Sequence, residues 1–335
     1  MGGATSAHHK FRSFRDDSQA LEIGDEGGAT LKNSMTFGQK ADRTAEARAK
    51  AAKRLMRLGV IVSIKEDPES ALARVHKLGL PTCQVYTDTF DSDLAARLAE
   101  AMERYGIEAT TLVSLGPGPQ VWNFDQGPLT IGLFPRTWRR QRIDSLKRAS
   151  DFARRVGIPA VHTHCGFLPE DPNNPLYRET VEAIREVASH CQGNGQSFLY
   201  ESGQETPVTL LRAILDVGLK NQGVNLDTAN LILYDKGNPV DALDVVGTYV
   251  RGLHAKDGLY PTDPKNLGQQ VPVGQGKVDF PRIIQRLKEL HYQGAITIER
   301  EISGPRQEAD IRQAMKYLEN LIGDGSQQGE NDANI

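Results

Sequence analysis

Short apolar, β-branched runs recur along the chain at regular intervals. They fall at 58–64 (LGVIVSI), 82–87 (TCQVYT), 108–115 (EATTLVSL), 160–166 (AVHTHCG), 197–202 (SFLYES), 224–230 (VNLDTAN), 250–256 (VRGLHAK) and 295–301 (AITIERE). Most are near-continuous instead of alternating, the pattern of strands buried on both faces of a parallel sheet. A segment of helical period follows each run. Asp67-Pro68 supplies an N-cap and a first-turn proline for the first helix, and Gly79 supplies its stop. Gly106 and Gly157 close the second and third helices in the same way, and Gln204–Gly218 and Asp279–Gly294 repeat the scheme.

Eight strand–helix units within about 265 residues, from 57 to 321, predict an α/β fold, a single-domain (β/α)8 TIM barrel. A doubly wound open sheet would need a glycine fingerprint after its first strand, and Ser63-Ile64-Lys65-Glu66 offers none. Residues 1–40 are polar without sustained period and are expected to form a disordered N-terminal extension. The catalytic barrel domain is expected over 41–322, led in by a helix over 41–56, with a polar C-terminal tail over 323–335.

The net charge of -3 argues against a general nucleic-acid or membrane-surface binder. Cys83, Cys165 and Cys191 are odd in number and widely spaced, so they read as reduced thiols and not as a disulfide framework. No run approaches the length of a membrane span, and the basic N-terminus has no apolar segment behind it. The expected location is the cytoplasm.

In this barrel type, chemistry sits at the C-terminal ends of the strands. The last four strands end on Glu201, Asp227, His254 and Glu299, residues costly to bury without a task. Singly, Asp227 also reads as a helix cap, His254 as a core histidine and each glutamate as half of an ion pair. Together, three carboxylates and one imidazole at one rim would repel and take up protons unless a cation joins them. One divalent metal ion answers this, and the oxygen-rich set suits Mn2+, Mg2+ or Co2+, with Zn2+ also compatible.

From Leu58 to Ser303 the chain resembles the xylose-isomerase-like barrel superfamily, specifically its sugar phosphate isomerase/epimerase family. The resemblance rests on LYES at 199–202, NLDTAN at 225–230, LHAKDG at 253–258 and GQGKVDF at 274–280, which leads into YQGAITIERE at 292–301. It implies that Glu201, Asp227, His254 and Glu299 are metal ligands and that Glu201 and Glu299 are the acid/base pair. One would remove a proton beside a carbonyl, and the other would return one to the opposite face through an enediolate. It implies a small-molecule sugar or sugar derivative as substrate and a homodimer or homotetramer as the assembly.

The chain departs from that pattern at several places. Where relatives often carry a substrate-touching histidine after the strand-six aspartate, Asn230 stands here, and an amide cannot shuttle protons near neutral pH. His162 and His164 share one face of their strand; His164 is placed at the rim as a substrate-binding residue, with His162 one layer deeper. The long segment 116–137 is read as a lid bringing Trp122 and Phe124 over the sugar. Lys256 shares a face with His254 and is expected to meet substrate oxygens or pair with Asp227, and Arg136, Arg139 or Lys256 to meet any phosphate.

Two other activities share this frame. A lyase resembling inosose dehydratase, or one eliminating a group from a 3-keto glycoside, also begins with proton abstraction beside a carbonyl. An endonuclease IV-like nuclease would need further histidine and aspartate ligands for three zinc ions. The segment GLYPTDPKNLGQQVPVGQG after His254 contains no histidine, which argues against it.

Overall fold

The computed structural model describes residues 56–65 and 67–323. The expected N-terminal extension, the lead-in helix short of Met56, and the tail after Gly323 lie outside the described residues.

Eight parallel strands close into a barrel: β1 (Leu58–Ser63), β2 (Thr82–Tyr86), β3 (Glu108–Val113), β4 (Ala160–His164), β5 (Ser197–Glu201), β6 (Gln222–Asp227), β7 (Val250–Ala255) and β10 (Ile296–Ile298). β10 pairs with both β7 and β1, which seals the ring. The two remaining short strands, β8 (Asp257–Gly258) and β9 (Gln270–Val271), form an antiparallel pair after β7. The barrel is the fold that the spacing of apolar runs predicts, and every predicted run falls on a barrel strand, β6 starting two residues ahead of its run.

The helix signals act as their chemistry requires. Asp67 accepts hydrogen bonds from the Glu69 and Ser70 amides at the start of α1 (Pro68–Leu78), and Gly79 ends it in the left-handed conformation at φ 78°. Gly106 closes α2 (Ser92–Tyr105) in the same way. Among the described residues no helix is long and apolar enough to cross a membrane.

The 116–137 segment is pinned from below. It contains a one-turn helix, α3 (Gly127–Thr130), and ends at α4 (Arg136–Val156). Arg142 of α4 is 1% exposed and donates to the carbonyl oxygens of Pro117, Gly132 and Pro119 at 3.0, 2.7 and 3.0 Å. A guanidinium presents several fixed donors at once, so one side chain satisfies three carbonyls of a loop that has no sheet partner.

A second anchor explains two of the sequence motifs. The Asp257 carboxylate accepts hydrogen bonds from the amides of Gly258, Gly274, Gly276 and Val278 at 2.9, 2.9, 2.8 and 3.1 Å. A Cβ on Gly276 would lie 2.1 Å from Asp257 Oδ1, so only glycine lets the chain close on the carboxylate. HAKD and GQGKVDF are thus the two halves of one clamp. It fixes the approach to α9 (Phe280–Glu289) and, beyond it, β10 with Glu299.

Candidate metal centre

Strand register brings the polar strand ends to one level. Glu201 lies opposite His164 across β4–β5, and Asp227 opposite His254 across β6–β7. Each of Glu201, Asp227, His254 and Glu299 offers a ligand atom, and these four atoms lie within 4.8 Å of one another. All four residues are buried, at 4% exposure or less. His254 Nδ1 is 3.5 Å from Glu201 Oε1, 3.6 Å from Asp227 Oδ2 and 3.2 Å from Glu299 Oε2.

This cluster can hold a metal ion, and two further observations fit one. Asp227 Oδ2 and His254 Nδ1 are buried atoms with no hydrogen-bond partner, which is costly unless something else binds them. The other imidazole nitrogen is committed: His254 Nε2 lies 2.9 Å from Gln84 Oε1, while Gln84 Nε2 donates to Asn225 Oδ1 at 2.9 Å. The Gln84 oxygen can only accept, so the proton belongs on Nε2 and Nδ1 faces the carboxylates. Gly252 makes room for the bridge, since a Cβ there would lie 2.3 Å from Asn225 Oδ1.

Lys256 sits in the same pocket. Its Nζ is 3.4 Å from Asp227 Oδ2, 3.2 Å from Glu299 Oε2 and 2.9 Å from Glu301 Oε1. Burial disfavours its charge, yet the surrounding carboxylates, led by Asp227 and Glu299, hold the ammonium pKa well above its ordinary value. Against Glu201, Asp227, Glu299 and Glu301 the Lys256 ammonium and a protonated His254 leave a negative excess, which a divalent cation would relieve.

Glu201 is surrounded by donors. His162 Nε2 and His164 Nε2 lie 2.8 and 3.1 Å from its Oε2, and Asn230 Nδ2 donates to its Oε1 at 3.2 Å. Burial alone would raise its pKa, but the imidazoles of His164, His162 and His254 hold the carboxyl well below the usual range. Glu299 is also held low: burial works against it, and Lys256 and His254 outweigh burial. Asp227 is shifted upward by its burial.

The sequence-predicted residues therefore converge, with amendments. His162, set one layer deeper and left out of the site, touches Glu201 as directly as His164 does. Asn230 bridges Glu201 and Lys256, whose Nζ is 3.3 Å from its Oδ1. Lys256 pairs with Asp227 as expected. Trp122 is half-buried with its ring 4.9 Å from that of His164. Arg136 and Arg139 are both paired with Glu179 of α5 (Pro175–Gly193).

Sequence reasoning missed Gln84, Glu205 and Glu301. Glu205 lies on the loop after β5, 2% exposed, and neither carboxyl oxygen has a hydrogen bond of ordinary geometry. Burial pushes its pKa up to about 8, which the backbone amides of Glu205 and Gly203 only partly offset.

Comparison with known proteins places this geometry in context. A family model described as xylose isomerase-like TIM barrel matches residues 72–321. A xylose isomerase domain protein of Planctomyces limnophilus is 34% identical with a TM-score of 0.72, the alignment covering 80% of this chain and 97% of that one. A D-psicose 3-epimerase shares the fold at 17% identity and a TM-score of 0.61, over 80% of this chain and 100% of that one. The inosose dehydratase of Geobacillus kaustophilus is 24% identical over 282 residues, 77% of this chain and 80% of its own. An uncharacterised protein of Methanocaldococcus jannaschii is 24% identical over 196 residues, 55% of this chain and 62% of its own length.

Proposed function

The chain belongs to the xylose isomerase-like TIM barrel family, and on that premise we propose that it is a divalent-metal-dependent sugar isomerase or epimerase. The observation that carries this reading is the buried quartet of Glu201, Asp227, His254 and Glu299, in which Asp227 Oδ2 and His254 Nδ1 make no hydrogen bond. A bound divalent cation would supply positive charge beside the carbonyl and hydroxyl oxygens of a sugar, making the adjoining C–H more acidic.

The chain's own groups then divide the proton work. Glu201 is kept ionised by its imidazole neighbours, so its Oε2 can accept a proton from carbon. His162 Nε2 and His164 Nε2, at 2.8 and 3.1 Å, hold and orient that oxygen. His164 Nδ1 lies 3.1 Å from Gln204 Oε1, an acceptor that orients the ring. Glu299, itself held ionised, is paired with Lys256 at 3.2 Å, and the ammonium is the proton-bearing partner through which a proton can be returned to the other face. Trp122, His164, Asn230 and Lys256 would contact the substrate. Burial of the whole cluster excludes water and strengthens each of these interactions.

The test is exchange. The metal-loaded chain is incubated in deuterated water with a panel of keto-sugars, and the mass of recovered substrate and product is read. Deuterium gained beside the carbonyl without loss of water or aglycone is expected, and its loss in Glu201→Gln and Glu299→Gln ties it to this pair. Release of water or aglycone would reassign the site to elimination, and no exchange on any sugar would overturn the reading.

A further inference from the structure

A cavity of about 530 Å³ lies among the loops that follow β3, β4, β6 and β7. Its wall carries Phe124, Phe167 and Tyr234, and its rim carries Asp235, Lys236 and Asp263. None of the four candidate metal ligands lines it. The Phe124 and Phe167 rings stand edge-on to the Tyr234 ring, at centroid distances of 6.4 and 5.8 Å, so the three form one aromatic corner.

Tyr234 joins this cavity to the site proposed above. Its ring is in the cavity wall, its amide donates to Asn230 O at 2.9 Å, and the Asn230 side chain donates to Glu201 Oε1 at 3.2 Å. The two half-buried phenylalanines are held in place by backbone. Phe124 N donates to Lys265 O at 3.2 Å, and a Cβ on Gly127 would lie 2.8 Å from the Phe167 ring. The cavity is therefore bounded by fixed aromatic faces on one side and solvated charges on the other.

The volume lies within the about 300–1,000 Å³ usual for small-ligand pockets. Aromatic faces suit the C–H faces of a pyranose, and carboxylates and an ammonium at the rim suit its hydroxyls. We infer that this cavity is a second sugar-ring subsite, so that the substrate is a glycoside whose reacting ring sits at the Glu201–Glu299 cluster and whose other ring sits against Phe124 and Phe167. The inference rests on the proposed sugar chemistry of the metal centre and goes beyond it by naming a two-ring substrate.

The test uses the full chain with Mn2+. Calorimetry measures the binding of D-fructose and of three of its O-glucosides, turanose, leucrose and isomaltulose, and deuterium exchange is followed separately. At least one glucoside is expected to bind tenfold or more tightly than fructose. Phe167→Ala, and independently Asp235→Asn, should bring that ratio close to one. Asn tolerates the left-handed backbone at position 235, where φ is 53°, so the second variant keeps the fold. A glucoside preference without exchange would uphold the subsite and defeat the isomerase reading. Exchange on fructose with no glucoside preferred, or with a preference that survives both substitutions, would overturn the subsite, as would failure of every sugar to bind.

Discussion

His254 Nε2 lies 2.9 Å from the side-chain oxygen of Gln84, a residue on the far side of the lumen and 170 positions earlier in the chain. That contact decides which imidazole nitrogen faces the carboxylates. Truncating it with Gln84→Ala should lower Mn2+ affinity by about 10- to 100-fold while leaving circular dichroism unchanged. Gln84→Glu, which keeps the acceptor, should recover most of the loss; equal affinity in all three forms would remove Gln84 from the site.

Uptake of the cation should release a proton. Burial lowers the His254 pKa, but Glu299, Asp227 and Glu201 more than reverse this and hold it well above the ordinary histidine value, so in the metal-free chain at neutral pH the ring carries two protons. A cation must displace the one on Nδ1, so affinity should rise with pH by about tenfold per unit. Calorimetry in buffers of different ionisation enthalpy should show close to one proton released per ion at pH 7. Buffer-independent heats would contradict this.

Glu205 sets a stability trend of opposite sign to a paired carboxylate. Its folded pKa, about 8, exceeds the ordinary 4.5, so the folded state holds the proton more tightly than the unfolded chain. Stability contributed by the neutral acid is present below pH 4.5 and is lost as pH rises toward about 8. Glu205→Gln should therefore raise stability at pH 9 by on the order of a few kcal/mol and change it little at pH 5. Thermal melts at the two pH values check this, and equal shifts at both would refute it.

Arg142 should matter more than a surface arginine. Removing its guanidinium leaves the carbonyls of Pro117, Gly132 and Pro119 without the donor that each now has. Arg142→Ala should cost roughly 2–5 kcal/mol and increase amide exchange across 116–132. A loss below about 0.5 kcal/mol would show that the loop holds itself.

The parts legible in the sequence are those governed by short periods. Strands buried on both faces leave continuous apolar runs, so β1 to β7 and β10 could be read directly. A polar residue ending such a run stands out, which is how Glu201, Asp227, His254 and Glu299 were found. Gln84 was hidden because a single amide inside TCQVY has no periodic signature, and its partner is reached only once the barrel closes. His162 was set too deep because alternation gives the face of a strand but not its height against the next, which depends on the stagger of the barrel. Nothing in the chain's local pattern shows that Glu179 of α5 pairs with Arg136 and Arg139. The buried Arg142 that anchors 116–137 lies in a helix beyond the segment, so the segment's own pattern does not show it.

Metal titration of the purified, chelator-treated chain is the most direct measurement. Calorimetry with Mn2+ should give one ion per chain, and that binding should vanish in Asp227→Asn and in His254→Ala, variants that leave the strands intact. No uptake by the unaltered chain, a stoichiometry other than one, or binding unaffected by those substitutions would contradict a metal centre built from the ends of β5, β6, β7 and β10.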